Sequence, residues 1–159
     1  MHVRRTAFGL ACAVGTMSAI AWGAEPSQAE RAAVLAAAEE VFAAIAAHDG
    51  ERFRRIMLPQ GVLVSSTGKP DEPAHVRTVA EFAEYISNAK GAFEERMWDA
   101  EVHIDGHVAS IWAPYEVLLD GKLRHCGYDS FQLVRVERGW RIVTVTYSMV
   151  PAEQCKPHA

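Results

Sequence analysis

Three side chains able to exchange protons fall close together in the C-terminal half of this 159-residue chain: Glu116, His125 and Asp129. A carboxylate facing an imidazole suits general acid–base chemistry near neutral pH. An aspartate set among aromatic residues loses water and resists ionising. The segment 125-HCGYDSFQLVRVERGW-140 alternates with a period of two, so His125 and Asp129 fall in step with Phe131 and Leu133. Tight corners fix strand register. Counting outward from Asp120-Gly121 sets Glu116 against His125, Trp112 against Asp129 and Ser110 against Phe131. Counting from Glu137-Arg138-Gly139 sets Tyr147 against Asp129.

One face of the sheet then carries aromatic walls with acids and an imidazole among them, the make-up of a small-molecule pocket. Trp112, Asp129, Tyr147, Ser110 and Phe131 are its expected ligand-binding residues. Catalysis, if the pocket performs any, falls to His125, Asp129 and Glu116. The opposite face carries Trp98, Ile111, Tyr115, Tyr128, Trp140 and Ile142 and is nearly all apolar. Helices or a second copy of the chain must cover it, which makes a homodimer the expected assembly. A bulge would exchange the faces partway along, and Gly127 and Pro114 are the expected places for one. His103, Glu101 and Asp99 are strung along one strand, and no CxxC or HxxxH spacing supports Cys126 or Cys155, so neither a metal nor another cofactor is expected.

The elements that position these residues are legible from periodicity and caps. Ser27-Gln28-Ala29-Glu30 is a capping box, and Val34, Leu35, Ala38, Val41, Phe42 and Ile45 follow at helical spacing, which predicts a helix over 27–48. A short second helix is expected over 50–58, a strand over 61–65, and a polar loop over 66–75. Thr78-Val79-Ala80-Glu81 opens a third helix. After Gly91 the period falls to two, and three corners divide the remainder into strands at 94–104, 107–119, 122–136 and 140–149. Helices followed by a four-strand meander make an α+β fold, with the helices closing one side of a curved antiparallel sheet.

The first 24 residues differ in kind. His2, Arg4 and Arg5 precede an apolar run from Ala7 to Ala21, and small-x-small patterns end at Ala21 or Gly23. This reads as a secretory signal cut between Ala21 and Ala24, leaving one domain over 25–159 in the periplasm or outside the cell. An uncleaved N-terminal anchor is the alternative; its apolar run of about fifteen residues is short for a bilayer. Cleavage would leave Cys126 and Cys155, which an oxidising compartment favours as a disulfide over two free thiols. A net charge of −4 without a basic run disfavours nucleic acid. No membrane partner is expected after cleavage.

The order of helices and meander, with 112-WAPYEVLLDGKLRHCGYDSFQLV-134 and 139-GWRIVTVTYS-148, resembles the nuclear transport factor 2-like superfamily. Within it the chain is most similar to exported bacterial proteins of the SnoaL-like and putative lumazine-binding type. The resemblance implies a cone-shaped α+β fold over about 28–150, and it leaves function open, because this superfamily hosts isomerases, dehydratases, cyclases and binders. Against ketosteroid isomerase, the hydrogen-bonding aspartic acid falls at Asp129, the tyrosine at Val41 and the general base at Ser65. Valine cannot donate a hydrogen bond and serine is no base without a partner, so steroid isomerisation is disfavoured. The expected function is binding of a small, partly apolar molecule in a conical pocket. The alternatives are a cofactor-independent isomerase, lyase or hydrolase, and a dimeric interaction module with a vestigial pocket.

Overall fold

The computed structural model describes residues 25–156. The expected signal segment lies outside them. Helix α1 spans Gln28–Ala46 and α2 spans Gly50–Ile56, followed by β1 (Met57–Ser66), β2 (His75–Thr78) and α3 (Val79–Asn88). The meander follows as β3 (Phe93–Met97), β4 (Glu101–Asp105), β5 (Val108–Leu119), β6 (Lys122–Val136), β7 (Gly139–Ser148) and β8 (Val150–Pro151). Both expected capping boxes form. Ser27 Oγ accepts from the Glu30 amide at 3.2 Å, Thr78 Oγ1 accepts from that of Glu81 at 3.2 Å, and each glutamate returns to its cap amide. Asp49 caps α2 by accepting from the Arg52 amide at 2.8 Å.

The strands form one sheet in the order β2-β1-β7-β6-β5-β3, with β4 extending β3 along β5 and β8 extending β7 along β6. The helices pack on one side of this curved α+β sheet. It is mixed rather than antiparallel throughout, because β1 lies parallel to β7. The long path through β2, α3 and the meander returns the chain in that direction. Expected strand 94–104 is two pieces, interrupted at Trp98–Ala100, where Asp99 takes φ 46°. The Asp120-Gly121 corner forms as expected, with φ 52° and 73°. At the previous corner the two turn residues are Gly106 and His107 rather than Asp105-Gly106, because Asp105 still pairs with Val108.

Two bulges decide which side chains face the helices. Between β5 and β6, Leu118 pairs with Leu123 but Val117 with His125, leaving Arg124 as the extra residue. Between β6 and β7, Gln132 pairs with Thr144 but Leu133 with Ile142, leaving Val143 extra. The slips lie here, not at Gly127 and Pro114, which remain within an unbroken ladder. Gly127 serves close approach instead: a Cβ there would fall on the Ser148 carbonyl.

A one-residue slip turns a strand over. The Arg124 bulge therefore puts β6 residues His125, Asp129, Phe131 and Leu133 on the same side as β5 residues Val117, Tyr115, Ala113 and Ile111. That side carries the core. Ile111, Ala113, Phe131 and Ile142 are wholly buried, packed with Val34, Ala38 and Phe42 of α1 and with Phe53, Phe82 and Ile86. Ile111 and Trp140, expected at a possible subunit seam, are covered by the chain's own helices.

Cys126 and Cys155 form a disulfide with Cα atoms 5.9 Å apart, tying the C-terminal tail to β6. No helix among the described residues is long and apolar enough to cross a membrane.

Candidate functional site

Between the helices and the sheet lies a cavity of about 420 Å³. Its walls are apolar, with Val41, Phe42 and Ile45 from α1, Phe82 and Ile86 from α3, and Val117, Phe131 and Val145 from the sheet. Its polar groups are few: Ser65, Glu95, Tyr115, His125, Asp129 and Tyr147, with the exposed Glu72, His75 and Arg124 and the half-buried Arg77 among the others that border it.

Asp129 stands opposite Ala113 on β5 and Tyr147 on β7 and is 2% exposed. Its Oδ2 is buried without a hydrogen-bond partner. Burial, reinforced by the charge of Glu95, raises the Asp129 pKa well above that of an ordinary aspartate. Glu95 pairs with Val117 across β3 and β5 and projects into the same cavity. Part of its surface still opens on the cavity, but protein surrounds it, and the loss of water pushes its pKa up to about 8. Two carboxyls in one poorly hydrated space favour their protonated forms, which donate hydrogen bonds as well as accept them.

His125, Tyr115 and Tyr147 are neutral for the same reason. Burial, with the nearby Arg124 charge, lowers the His125 pKa to about 4, so its imidazole is neutral at pH 7, and its Nδ1 has no partner. Tyr115 and Tyr147 are both pushed up, chiefly by burial. Tyr115 donates its hydroxyl to the Ser148 carbonyl at 2.9 Å, and its ring meets those of His125 and Tyr147 edge-on, at 5.8 and 6.3 Å.

The structure thus brings together His125, Asp129, Phe131 and Tyr147 of the expected site. It does not bring Glu116, Trp112 or Ser110 to them. Because of the Arg124 bulge, Glu116 opposes Cys126, Trp112 opposes Ser130, and Ser110 opposes Gln132, all on the outer face. Glu116 is ion-paired with Arg96 and so does not form the expected pair with His125. Trp112 is 48% exposed and stacks on Tyr128 with ring centroids 5.1 Å apart. Val41 and Ser65, matched above to ketosteroid isomerase positions, do border the cavity with Asp129.

Glu95 and Tyr115 were the residues missed. The alternation 93-FEERM-97 gave a weak signal for Glu95: it lies in step with Phe93 and Met97, the apolar side of that strand.

Residues 29–148 match the family described as "Putative lumazine-binding". The chain belongs to that family. Solved structures share its fold. A Nostoc punctiforme protein with a cystatin-like fold has a TM-score of 0.66 at 12% identity, covering 81% of this chain and 97% of its own. A nuclear transport factor 2-like protein of Shewanella baltica gives 0.62 at 18%, covering 80% and 100%. One from Streptomyces avermitilis, described as a "putative dehydratase" of the same superfamily, gives 0.59 at 18%, covering 76% and 96%. Likeness at these identities establishes the nuclear transport factor 2-like fold and no activity. No curated protein matches the chain.

Proposed function

We propose that this is an exported binding protein whose cavity takes a small, flat, partly apolar molecule, anchored through a ligand acceptor atom by Asp129. The observation that carries this is the unpartnered Oδ2 of a 2% exposed aspartate in an apolar-walled cavity of about 420 Å³. A buried polar group without a partner costs roughly 1–3 kcal/mol, which a bound acceptor would recover. The volume falls within the roughly 300–1,000 Å³ of small-molecule sites. The family's description points the same way, since lumazine is a flat heteroaromatic with ring carbonyls that accept hydrogen bonds. Export is supported by the N-terminal residue pattern and by the Cys126–Cys155 disulfide.

The test is a thermal-shift screen of aromatic ketones, phenols and pteridines against the native protein and Asp129→Leu. Binding through Asp129 predicts a saturable rise in Tm that the variant lacks, together with a more stable ligand-free variant. No rise with any compound, or the same rise in Asp129→Leu, would refute it.

One observation favours a second reading, a cofactor-independent isomerase, lyase or hydrolase. Glu95, with its pKa near 8, is matched to proton transfer at neutral pH and adjoins Asp129 and His125. Glu95→Gln should then remove turnover while leaving binding in place.

A further inference from the structure

The Asp129 anchor leaves two other polar side chains of the cavity without partners. Glu95 on β3 stands opposite Val117 on β5, and Val117 stands opposite His125 on β6. The three form one cross-strand row, and all three border the cavity. Two strand spacings, about 10 Å, separate Glu95 from His125 at the backbone. The pair do not bond each other. Glu95 has no hydrogen bond or ion pair among the described residues, and His125 Nδ1 is buried without a partner.

Burial keeps the carboxyl protonated and the imidazole neutral at pH 7, so each offers both a donor and an acceptor. A hydroxyl lying over Val117 matches the two together, because it accepts one hydrogen bond and donates another. It also serves either imidazole tautomer. With a bare Nδ1 it donates there and accepts from Glu95; with Nδ1–H it accepts there and donates to the Glu95 carbonyl oxygen. A ketone oxygen only accepts and leaves part of the pair unmet.

His125 and Asp129 lie four residues apart in an unbroken ladder and face the same side, which sets them about 13 Å apart at the backbone. Tyr115 lies between them, opposite Gly127. Its ring stands edge-on to His125 at one end and to Tyr147, the β7 partner of Asp129, at the other. A flat body of two fused rings with a polar atom at each end suits that interval.

We propose that Glu95 and His125 form a hydroxyl-binding subsite at the other end of the cavity floor from Asp129, so that the ligand is a flat molecule with a hydrogen-bond acceptor at one end and an alcohol or phenol hydroxyl at the other. The proposal rests on the binding reading above and narrows it. Asp129 fixes one end of the ligand, and the Glu95–His125 pair sets which way round it lies and rejects analogues that lack the hydroxyl.

Two ligands test this. 6-Acetyl-2-naphthol carries a ketone and a hydroxyl at opposite ends of one rigid body, and 2-acetonaphthone carries the ketone alone. Fluorescence titrations at pH 6.5 use the native protein, His125→Leu, Glu95→Met and Asp129→Leu. The native protein should hold the hydroxy-ketone about tenfold more tightly than the ketone. His125→Leu and Glu95→Met should each cut that preference to about threefold or less, while binding 2-acetonaphthone as the native protein does. Asp129→Leu should weaken both ligands and keep the preference. Equal affinity of the native protein for the two ligands, or a preference that survives undiminished in both His125→Leu and Glu95→Met, would overturn the hydroxyl subsite and leave the binding reading standing. Failure of both ligands to bind, or an affinity for 2-acetonaphthone that Asp129→Leu does not lower, would instead overturn the binding reading, and the subsite with it.

Discussion

Replacing Glu95 by glutamine should change how stability depends on pH, and the size of the effect follows from where the carboxyl sits. In the folded chain the proton is held up to about 8, against 4.5 for an ordinary glutamate. Between those values the native state binds a proton that the unfolded state has released. Stability contributed by the protonated form is therefore fully present below 4.5 and is lost as pH rises through 8. The loss is about 1.4 kcal/mol for each pH unit. His125 works in the opposite sense over 4 to 6.5, where its neutral folded form resists the proton that the unfolded chain takes up. The window from pH 6.5 to 8 isolates the acid side.

Across that window Glu95 should remove at most about 2 kcal/mol from the native protein, a ceiling because water can reach part of its surface through the cavity. Such a loss corresponds to roughly 5–8 °C in Tm. Asp129, whose pKa is also raised, adds to the decline in both proteins. The test is therefore the difference between native protein and Glu95→Gln, followed by urea unfolding and by thermal melts at pH 6.5, 7.25 and 8. The variant should fall less steeply. Parallel decline of the two proteins would show that Glu95 sheds its proton normally, and the picture of a poorly hydrated acid pair would be wrong.

Reduction of the disulfide, or Cys155→Ser, should cost about 3–4 kcal/mol for a closed loop of 29 residues, measured by urea unfolding with and without reductant. Gly127→Ala should destabilise by at least about 2 kcal/mol, because its methyl would displace the Ser148 carbonyl that accepts from Tyr115; a neutral change would mean that β7 can yield at that point. Trp112→Glu should leave the ligand-dependent rise in Tm unchanged, since Trp112 lies on the outer face; loss of the rise would mean that the outer face contributes to the site.

Periodicity and caps carried most of the architecture. Ser27 with Glu30, Thr78 with Glu81, and Asp120 with Gly121 all act over three or fewer residues, and local interactions of that kind survive into the fold unchanged. The parallel placement of β1 against β7 depends on a path of some eighty residues and has no local mark. The pocket was half legible. Asp129 was correctly placed against Tyr147, because the corner count missed by one residue and the Val143 bulge restored it. Glu116, Trp112 and Ser110 were placed on the wrong face because the Arg124 bulge lies only three residues past a corner that was itself read correctly. A bulge at a charged residue leaves the apolar alternation on either side intact, so the pattern of each strand alone does not show how the two are phased.

Arg124 is a residue that the β5–β6 hairpin could lose without exchanging its faces. Were it deleted, Leu123 would run straight into His125, and Leu118, Val117 and Ala113 would keep Leu123, His125 and Asp129 as their partners. The kink would vanish while the chamber kept its chemistry. Removing one position turns a regular strand over; here it would straighten one.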